Sequence, residues 1–165
     1  MYKMKKVLLK SVLLLAFVFA GWSASAGQPS EVEESVRKMA KEFEKEKGVE
    51  CMVVEKGLMI GIIKASFKAK FGKEFMKDVT SMVIINYSEA SNEVAETFRK
   101  RVDSYAGVLQ EMKLNKESTE EGHYEKCYAK LEETSLSDMM ILLEDKENRI
   151  FLYMGGKLNL EKLQL

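Results

Sequence analysis

Several residue types are scarce in this chain of 165 residues: it has one proline, one histidine, one tryptophan and two cysteines. Because Pro29 is the only proline, we expect no proline-rich linker between domains. Because the formal net charge is zero, the chain lacks the basic excess typical of nucleic-acid-binding proteins. Any Ser-His-Asp or Cys-His catalytic arrangement would have to use His123, the only histidine.

The first 26 residues have the pattern of a secretory signal peptide. Four lysines lie between residues 3 and 10, an almost wholly apolar run extends from Ser11 to Trp22, and Ala24-Ser25-Ala26 supplies the small residues of a cleavage site. The apolar run is shorter than the roughly 20 residues that cross a bilayer. We therefore expect cleavage after Ala26 and a periplasmic or extracellular location.

The mature chain, residues 27–165, has the length of a single domain. Its net charge is −4, because four lysines leave with residues 1–26. This balance argues against binding to nucleic acid or anionic lipid. We expect no transmembrane segment in it, since the apolar run Met139–Leu143 is only five residues long.

The two cysteines, Cys51 and Cys127, lie in segments that we predict to be strands. In an exported protein they raise the possibility of a disulfide, which is sterically feasible if the two strands are neighbours. The alternative is two buried free thiols that pack as small apolar side chains. We favour the free thiols, although the sequence leaves both alternatives open.

Apolar residues at helical spacing predict three helices. The first begins with a capping box, Ser30 to Glu33, and ends at Gly48. The second lies between Gly57 and Gly72. The third begins at Ser91 or Asn92 and ends at Gly107.

Alternating and apolar runs predict about six strands, two before and four after the third helix. They are Val49–Glu55, Ser81–Tyr87, Val108–Asn115, Tyr124–Glu132, Asp138–Glu144 and Arg149–Met154. The apolar run Met82–Ile85 indicates a strand that is covered on both faces. We predict an α+β fold, a single two-layer domain whose mixed sheet has parallel pairing early and antiparallel pairing late, with three helices mainly on one face.

The layout resembles a known family of exported proteins. The matching features are the lysine-rich leader, a helix that ends in Lys47–Glu50, the segment Lys56–Met59, the strand Met82–Ile85 and the closing segment Phe151–Leu160. They resemble the family called domain of unknown function 4252, typical of the Bacteroidota. The resemblance implies export from a Gram-negative cell and one compact domain, but no reaction, ligand or catalytic residue.

Metal-binding side chains are clustered at one predicted hairpin tip. Glu117, Glu120, Glu121 and His123 could offer ligands to a divalent cation, but the spacing of a calcium loop is missing. A solvated hairpin tip is the simpler interpretation.

Two other sequence features are explained better by a structural role than by ligand binding. Gly155-Gly156-Lys157 lacks the context of a phosphate-binding loop, and a bulge or tight turn accounts for it better. The methionines are too dispersed along the sequence to indicate a copper site, and core packing explains them.

These features favour a non-catalytic binding or accessory protein of the periplasm or cell exterior. We expect its partner to be an envelope protein or a small ligand, and we expect no cofactor. The alternatives are an exported carboxylate-dependent hydrolase and a carrier of a small molecule or metal.

Overall fold

A computed structural model describes residues 29–55, 60–62, 64–65, 76–112 and 124–159. Its helices and strands have the following bounds: α1 Glu31–Phe43, β1 Glu50–Val54, β2 Asp78–Asn86, α2 Asn92–Asp103, a 3-10 helix Ser104–Gly107, β3 Gln110–Met112, β4 Tyr124–Glu132, β5 Ser135–Glu144 and β6 Arg149–Asn159. The strands form one sheet with the order β1-β2-β6-β5-β4-β3. The α+β class and the six strands are confirmed.

The sheet is antiparallel at every pair of neighbouring strands, so the predicted mixed sheet with early parallel pairing is wrong. The alternating directions do make β2 and β3 parallel, as a helical crossover requires. However, three other strands lie between them in the sheet. Residues 55–77 join β1 to its antiparallel neighbour β2, so this connection starts and ends at the same end of the sheet.

Both long helices begin at the serines that the sequence predicts. The Ser30 hydroxyl accepts a hydrogen bond from the Glu33 amide at 3.0 Å, and the Ser91 hydroxyl accepts one from Val94 at 3.2 Å. Helix α1 ends at Phe43 rather than at Gly48. Gly48 has a φ of +81°, so it serves the turn before β1 instead of ending the helix.

The first apolar cluster lies between these two helices and one face of the sheet. Its centre is Phe98 of α2, whose ring centroid is 4.9 Å from that of Phe43, 4.6 Å from that of Tyr87 and 5.5 Å from that of Phe151. These edge-on and tilted ring contacts join α1, α2 and β6 into one packed layer.

A second apolar cluster covers the opposite face of the sheet. It includes Ile60, from the helical residues 60–62, so helical segments contact both faces. The run Met82–Ile85 is buried throughout and alternates between the two clusters, which confirms the prediction of a doubly covered strand. Val108 and Leu131 are 70% and 53% exposed, because both lie near the β3–β4 edge of the sheet.

Strand β6 does not end at Gly155-Gly156 as predicted but continues to Asn159. Gly155 and Gly156 together lie opposite Asp138 of β5, where the pairing register shifts, so the interpretation as a bulge is confirmed. Gly156 has a φ of +96°, and a Cβ atom there would lie 2.2 Å from the backbone oxygen of Asp78. No described helix is long and apolar enough to cross a bilayer.

Candidate functional site

Strand β1 forms one outer edge of the sheet. It pairs with β2 from Glu50 opposite Asn86 to Val54 opposite Met82, and no other described strand lies beside it. In an antiparallel ladder, alternate residues direct their amide and carbonyl groups to either side. Half of the polar backbone groups of β1 therefore point away from β2, where no described strand bonds to them.

Side chains along this edge differ sharply in exposure. Met52 and Val54 are 8% and 4% exposed and fix one side of β1 in the second apolar cluster. Val53 points to the other side and is 43% exposed. Glu50 is exposed at the start of the strand. The edge thus presents an exposed apolar side chain near one end and a negative charge at the other.

Helix α1 reinforces this edge through an ion pair. The guanidinium of Arg37 donates hydrogen bonds to Glu55, which directly follows β1, and to Glu33 on its own helix at 2.6 Å. All three side chains are at least half-buried, so the pair is better shielded from solvent than a typical surface ion pair. It ties the end of β1 to the helix layer.

A buried polar cluster, which we call the helix anchor, lies beneath the first turn of α1. The Asp138 carboxylate of β5 accepts hydrogen bonds from the Ser30 hydroxyl at 2.5 Å and the Tyr153 hydroxyl at 2.6 Å. Asp138 has a φ of +50°, in the left-handed region that aspartate tolerates better than most residues. Burial and the hydrogen bond to Asp138 raise the pKa of Tyr153, so its phenol stays protonated and continues to donate.

Gly155 lies at the centre of the helix anchor. A Cβ atom at this position would lie 2.3 Å from the Ser81 hydroxyl, 2.7 Å from Glu33 Oε2 and 3.1 Å from the Tyr153 hydroxyl. Ser81 is 3% exposed, and among the described residues its hydroxyl has no hydrogen-bond partner. Oxygen atoms from α1, β2 and β6 therefore crowd around a position where only glycine fits.

A second buried network joins α2 to the far end of β5. Glu144, which is 6% exposed, accepts hydrogen bonds from the Tyr87 hydroxyl at 2.6 Å and from Arg99 Nε at 2.6 Å. Burial and this hydrogen bond raise the pKa of Tyr87. The Arg99 guanidinium also lies 5.4 Å from the ring centre of Tyr124, in cation–π contact.

The buried carboxylates hold structural elements together. Glu33 accepts from Arg37, Asp138 from Ser30 and Tyr153, and Glu144 from Tyr87 and Arg99. Glu33 links two successive turns of α1. Asp138 links the cap of α1 to β5 and β6, and Glu144 links α2 to β5. We interpret the networks as structural supports for the two helices, and not as a catalytic pair of a nucleophile and its base.

Both cysteines are free thiols, as the sequence analysis favours. Cys51 packs against the first cluster and donates to the carbonyl of Ala40 at 3.3 Å, whereas Cys127 is in the second cluster, on the other face. Their strands are four positions apart in the sheet, about 19 Å. Burial raises the pKa of each thiol to about 12, so neither is a reactive thiolate at neutral pH.

The predicted metal ligands Glu117, Glu120, Glu121 and His123 lie outside the described residues. Within the described ranges, no group of three or more His, Cys, Asp or Glu side chains is placed to hold a metal ion. A shallow groove of about 500 Å³ runs between α1 and α2, lined by the acids Glu42 and Glu46 and the bases Lys100 and Arg101. Phe43 also lines this groove.

Sequence reasoning missed the helix anchor. Asp138 was assigned only as the first residue of a strand, and its partner Ser30 lies 108 residues away in the chain. The pair Gly155-Gly156 within an apolar strand was the one local signal of an unusual backbone.

Comparison with known proteins identifies the family. A family model described as Domain of unknown function (DUF4252) matches residues 41–165, from within α1 to the last residue of the sequence. Searches of curated proteins and of solved structures gave no match. Because the family model covers more than half of the sequence, the chain belongs to the family of domain of unknown function 4252.

Proposed function

We propose that this protein is exported and acts as a non-catalytic binding protein, which receives an extended segment of an envelope protein at the open edge of β1. The observation that carries the proposal is the edge itself: β1 has one strand neighbour among the described residues, and its valine Val53 is 43% exposed. Strand addition of this kind is a common mode of peptide recognition.

The geometry of β1 suggests what the partner segment contains. Backbone hydrogen bonds to β1 give affinity with little dependence on sequence, and the side chains that flank the edge give specificity. An apolar side chain of the partner would pack on Val53, and a basic side chain would lie near the exposed carboxylate of Glu50. The partner segment is therefore extended, with an apolar residue on one face and a basic residue on the other.

Strand β1 is also suited to binding because its conformation is already fixed before a partner binds. Met52 and Val54 are buried on one side, and Glu55 is held by Arg37. A strand that is ordered before it binds loses little conformational entropy in the complex. Many proteins protect an exposed edge strand with lysine or proline, and β1 has neither.

The hydrolase alternative depends on the two buried carboxylates of the helix anchor, Glu33 and Asp138. Glycoside hydrolysis needs two carboxylates across a substrate cleft. Here both are below 10% exposed and accept hydrogen bonds from Arg37, Ser30 and Tyr153. Because both carboxylates are buried and already hydrogen-bonded within the protein, we propose binding rather than hydrolysis.

Export is supported by the pattern of residues 1–26, which lie outside the described ranges. Intact mass measurement of protein recovered from the periplasm or medium of its host tests it. We expect the chain to begin at Gly27. Recovery of protein with an intact leader from the cytosol alone would refute the export proposal.

The binding proposal is tested with two matched valine substitutions. Val53→Lys places a charge on the edge strand, whereas Val108→Lys changes a valine that is 70% exposed and outside the strands. Both side chains reach solvent, so we expect each variant to fold with unchanged stability within about 0.5 kcal/mol.

Tagged forms of the chain are then purified from the envelope fraction of the host, and the proteins that accompany them are quantified. We expect a specific partner to accompany the wild type and the Val108→Lys variant and to be lost from the Val53→Lys variant. Equal recovery of every accompanying protein with both variants would show that the edge of β1 is not the binding site.

A further inference from the structure

The groove between α1 and α2 carries opposite charges on its two sides. Its volume of about 500 Å³ lies within the range of about 300–1,000 Å³ that small-molecule sites occupy. Glu42 and Glu46 line the side at the end of α1, and Lys100 and Arg101 line the side formed by α2. Because carboxylates lie on one side and cations on the other, the groove is complementary to a ligand with both charges.

One charge on each side of the groove has no partner in the protein. Arg101 reaches Glu42 across the groove at 3.5 Å, and both side chains are nearly half-exposed. Glu46 and Lys100 are exposed, and within the described ranges neither side chain makes a hydrogen bond or an ion pair. A carboxylate and an ammonium group are therefore available to a ligand from opposite sides.

The rest of the lining is partly apolar, and its hydroxyl groups are already engaged. Phe43 is 9% exposed, and its ring is fixed by the edge-on contact with Phe98 at 4.9 Å. The hydroxyls of Thr97 and Ser104 donate to backbone carbonyls one turn earlier in the chain, at 2.9 and 2.6 Å. The groove thus offers a ligand charged groups and an aromatic side chain rather than neutral donors.

We propose that this groove binds a short zwitterionic peptide, with its amino group at Glu46 and its carboxylate at Lys100. A volume of about 500 Å³ corresponds to roughly 16 water molecules at about 30 Å³ each. A dipeptide with one apolar side chain has a similar number of non-hydrogen atoms. Its two charged ends match the two available charges, and its apolar side chain would pack on Phe43.

A ligand with a single charge fits the groove less well. The carboxylates of Glu42 and Glu46 repel an anion, and Lys100 and Arg101 repel a cation. The charges are exposed to solvent, so each ion pair with the ligand is weak and is screened by salt. We therefore expect a Kd of about 1 mM, which is ordinary for a ligand of this size.

The peptide site is separate from the proposed partner binding. Its lining residues belong to α1, α2 and the residues that follow each helix, and none of them belongs to β1. The edge of β1 is linked to α1 through Arg37, which does not line the groove. Loss of one activity therefore leaves the other intact.

The dipeptide L-alanyl-L-leucine serves as the probe, and NMR spectra of nitrogen-15-labelled protein follow its titration. The same dipeptide with an acetylated amino group and an amidated carboxyl group is the matched ligand, because it keeps the apolar side chain and loses both charges. We expect the amide signals of Glu46, Lys100 and Arg101 to shift with the free dipeptide. We expect the blocked dipeptide to bind about tenfold more weakly, because it loses two ion pairs.

Three single substitutions test the assignment of the two ends. Glu46→Gln and Lys100→Gln each remove one charge from the groove, whereas Lys38→Gln changes an exposed lysine of α1 outside it. All three side chains are exposed, so each variant should fold like the wild type. We expect Glu46→Gln and Lys100→Gln each to weaken binding about two- to fivefold and Lys38→Gln to leave it unchanged.

Several results would overturn the proposal. Equal binding of the free and blocked dipeptides, shifts confined to residues outside the groove, or no shifts would show that the groove is not a site for charged peptide ends. Equal affinity in the Lys100→Gln and Lys38→Gln variants would refute the place of the carboxylate. Phosphoethanolamine also carries an ammonium and an anionic group, and tighter binding of it than of the dipeptide would refute the peptide as the ligand class.

Discussion

Gly155→Ala is the substitution whose effect follows most directly from the helix anchor. The added methyl carbon would lie 2.3 Å from the Ser81 hydroxyl and 2.7 Å from Glu33 Oε2, well inside van der Waals contact. Either α1 or β2 must move to accept it. Overpacking of a core costs about 1–3 kcal/mol, and disturbing buried hydrogen bonds costs about as much. We therefore expect a loss of about 3 kcal/mol in the free energy of unfolding.

Urea denaturation followed by circular dichroism measures this loss, and a thermal scan should show Tm falling by about 10 °C. Gly107→Ala is the matched control, because a Cβ atom at Gly107 meets nothing within 4 Å. We expect the control to be neutral or up to about 1 kcal/mol more stable, since alanine restricts the unfolded chain.

A double substitution tests whether the Ser81 hydroxyl is the cause. Ser81→Ala removes a buried hydroxyl without a described partner, so alone it should change stability little or raise it by about 1 kcal/mol. In the Gly155→Ala background it should raise the free energy of unfolding by at least about 1 kcal/mol more than it does alone, a coupling typical of contacting residues. If Gly155→Ala proved as stable as Gly107→Ala, or if the two changes were simply additive, the described packing of the helix anchor would be refuted.

Three further predictions concern the second network and the thiols. Glu144→Gln leaves the half-buried Arg99 without its charged partner and should lower the free energy of unfolding by about 2 kcal/mol in urea titrations; an unchanged midpoint would contradict the network. A thiol reagent at pH 8 should react with neither cysteine in the native protein and with both in urea without reductant; a count of zero in urea would indicate a disulfide. Stability should fall as pH rises from about 9 towards 12, because the unfolded thiols ionise there while the folded thiols, with pKa values of about 12, keep their protons. Cys127→Ala should flatten that decline, and an equally steep decline in this variant would count against the burial of Cys127.

Local features of the fold could be predicted from the sequence because they depend on neighbouring residues. Ser30 and Ser91 cap their helices through amides three residues away, and β4 has the predicted bounds because its alternation is clear. The loop Asp145–Asn148 closes through a hydrogen bond from the Asp145 amide to the Asn148 carbonyl and through the Asp145 side chain. Such short-range bonds leave a recognisable sequence pattern.

Features that depend on distant pairing could not be predicted. The antiparallel order of the sheet requires knowing that β6 lies between β2 and β5, and no local pattern carries that information. Met82 and Met154 become neighbours only through that pairing. The helix anchor likewise joins residues from both ends of the chain. The periodicity of apolar residues predicted the helices and strands. Which residues come into contact depends instead on the pairing of strands that are far apart in the sequence.

The edge of β1 is tested most directly by cross-linking in living cells. A photoreactive amino acid is placed at position 53 in one version of the chain and at position 108 in another, and the products are identified by mass spectrometry. We expect a defined adduct with an envelope protein from position 53 and none from position 108. Adducts from position 108 alone, or the same adducts from both positions, would contradict it.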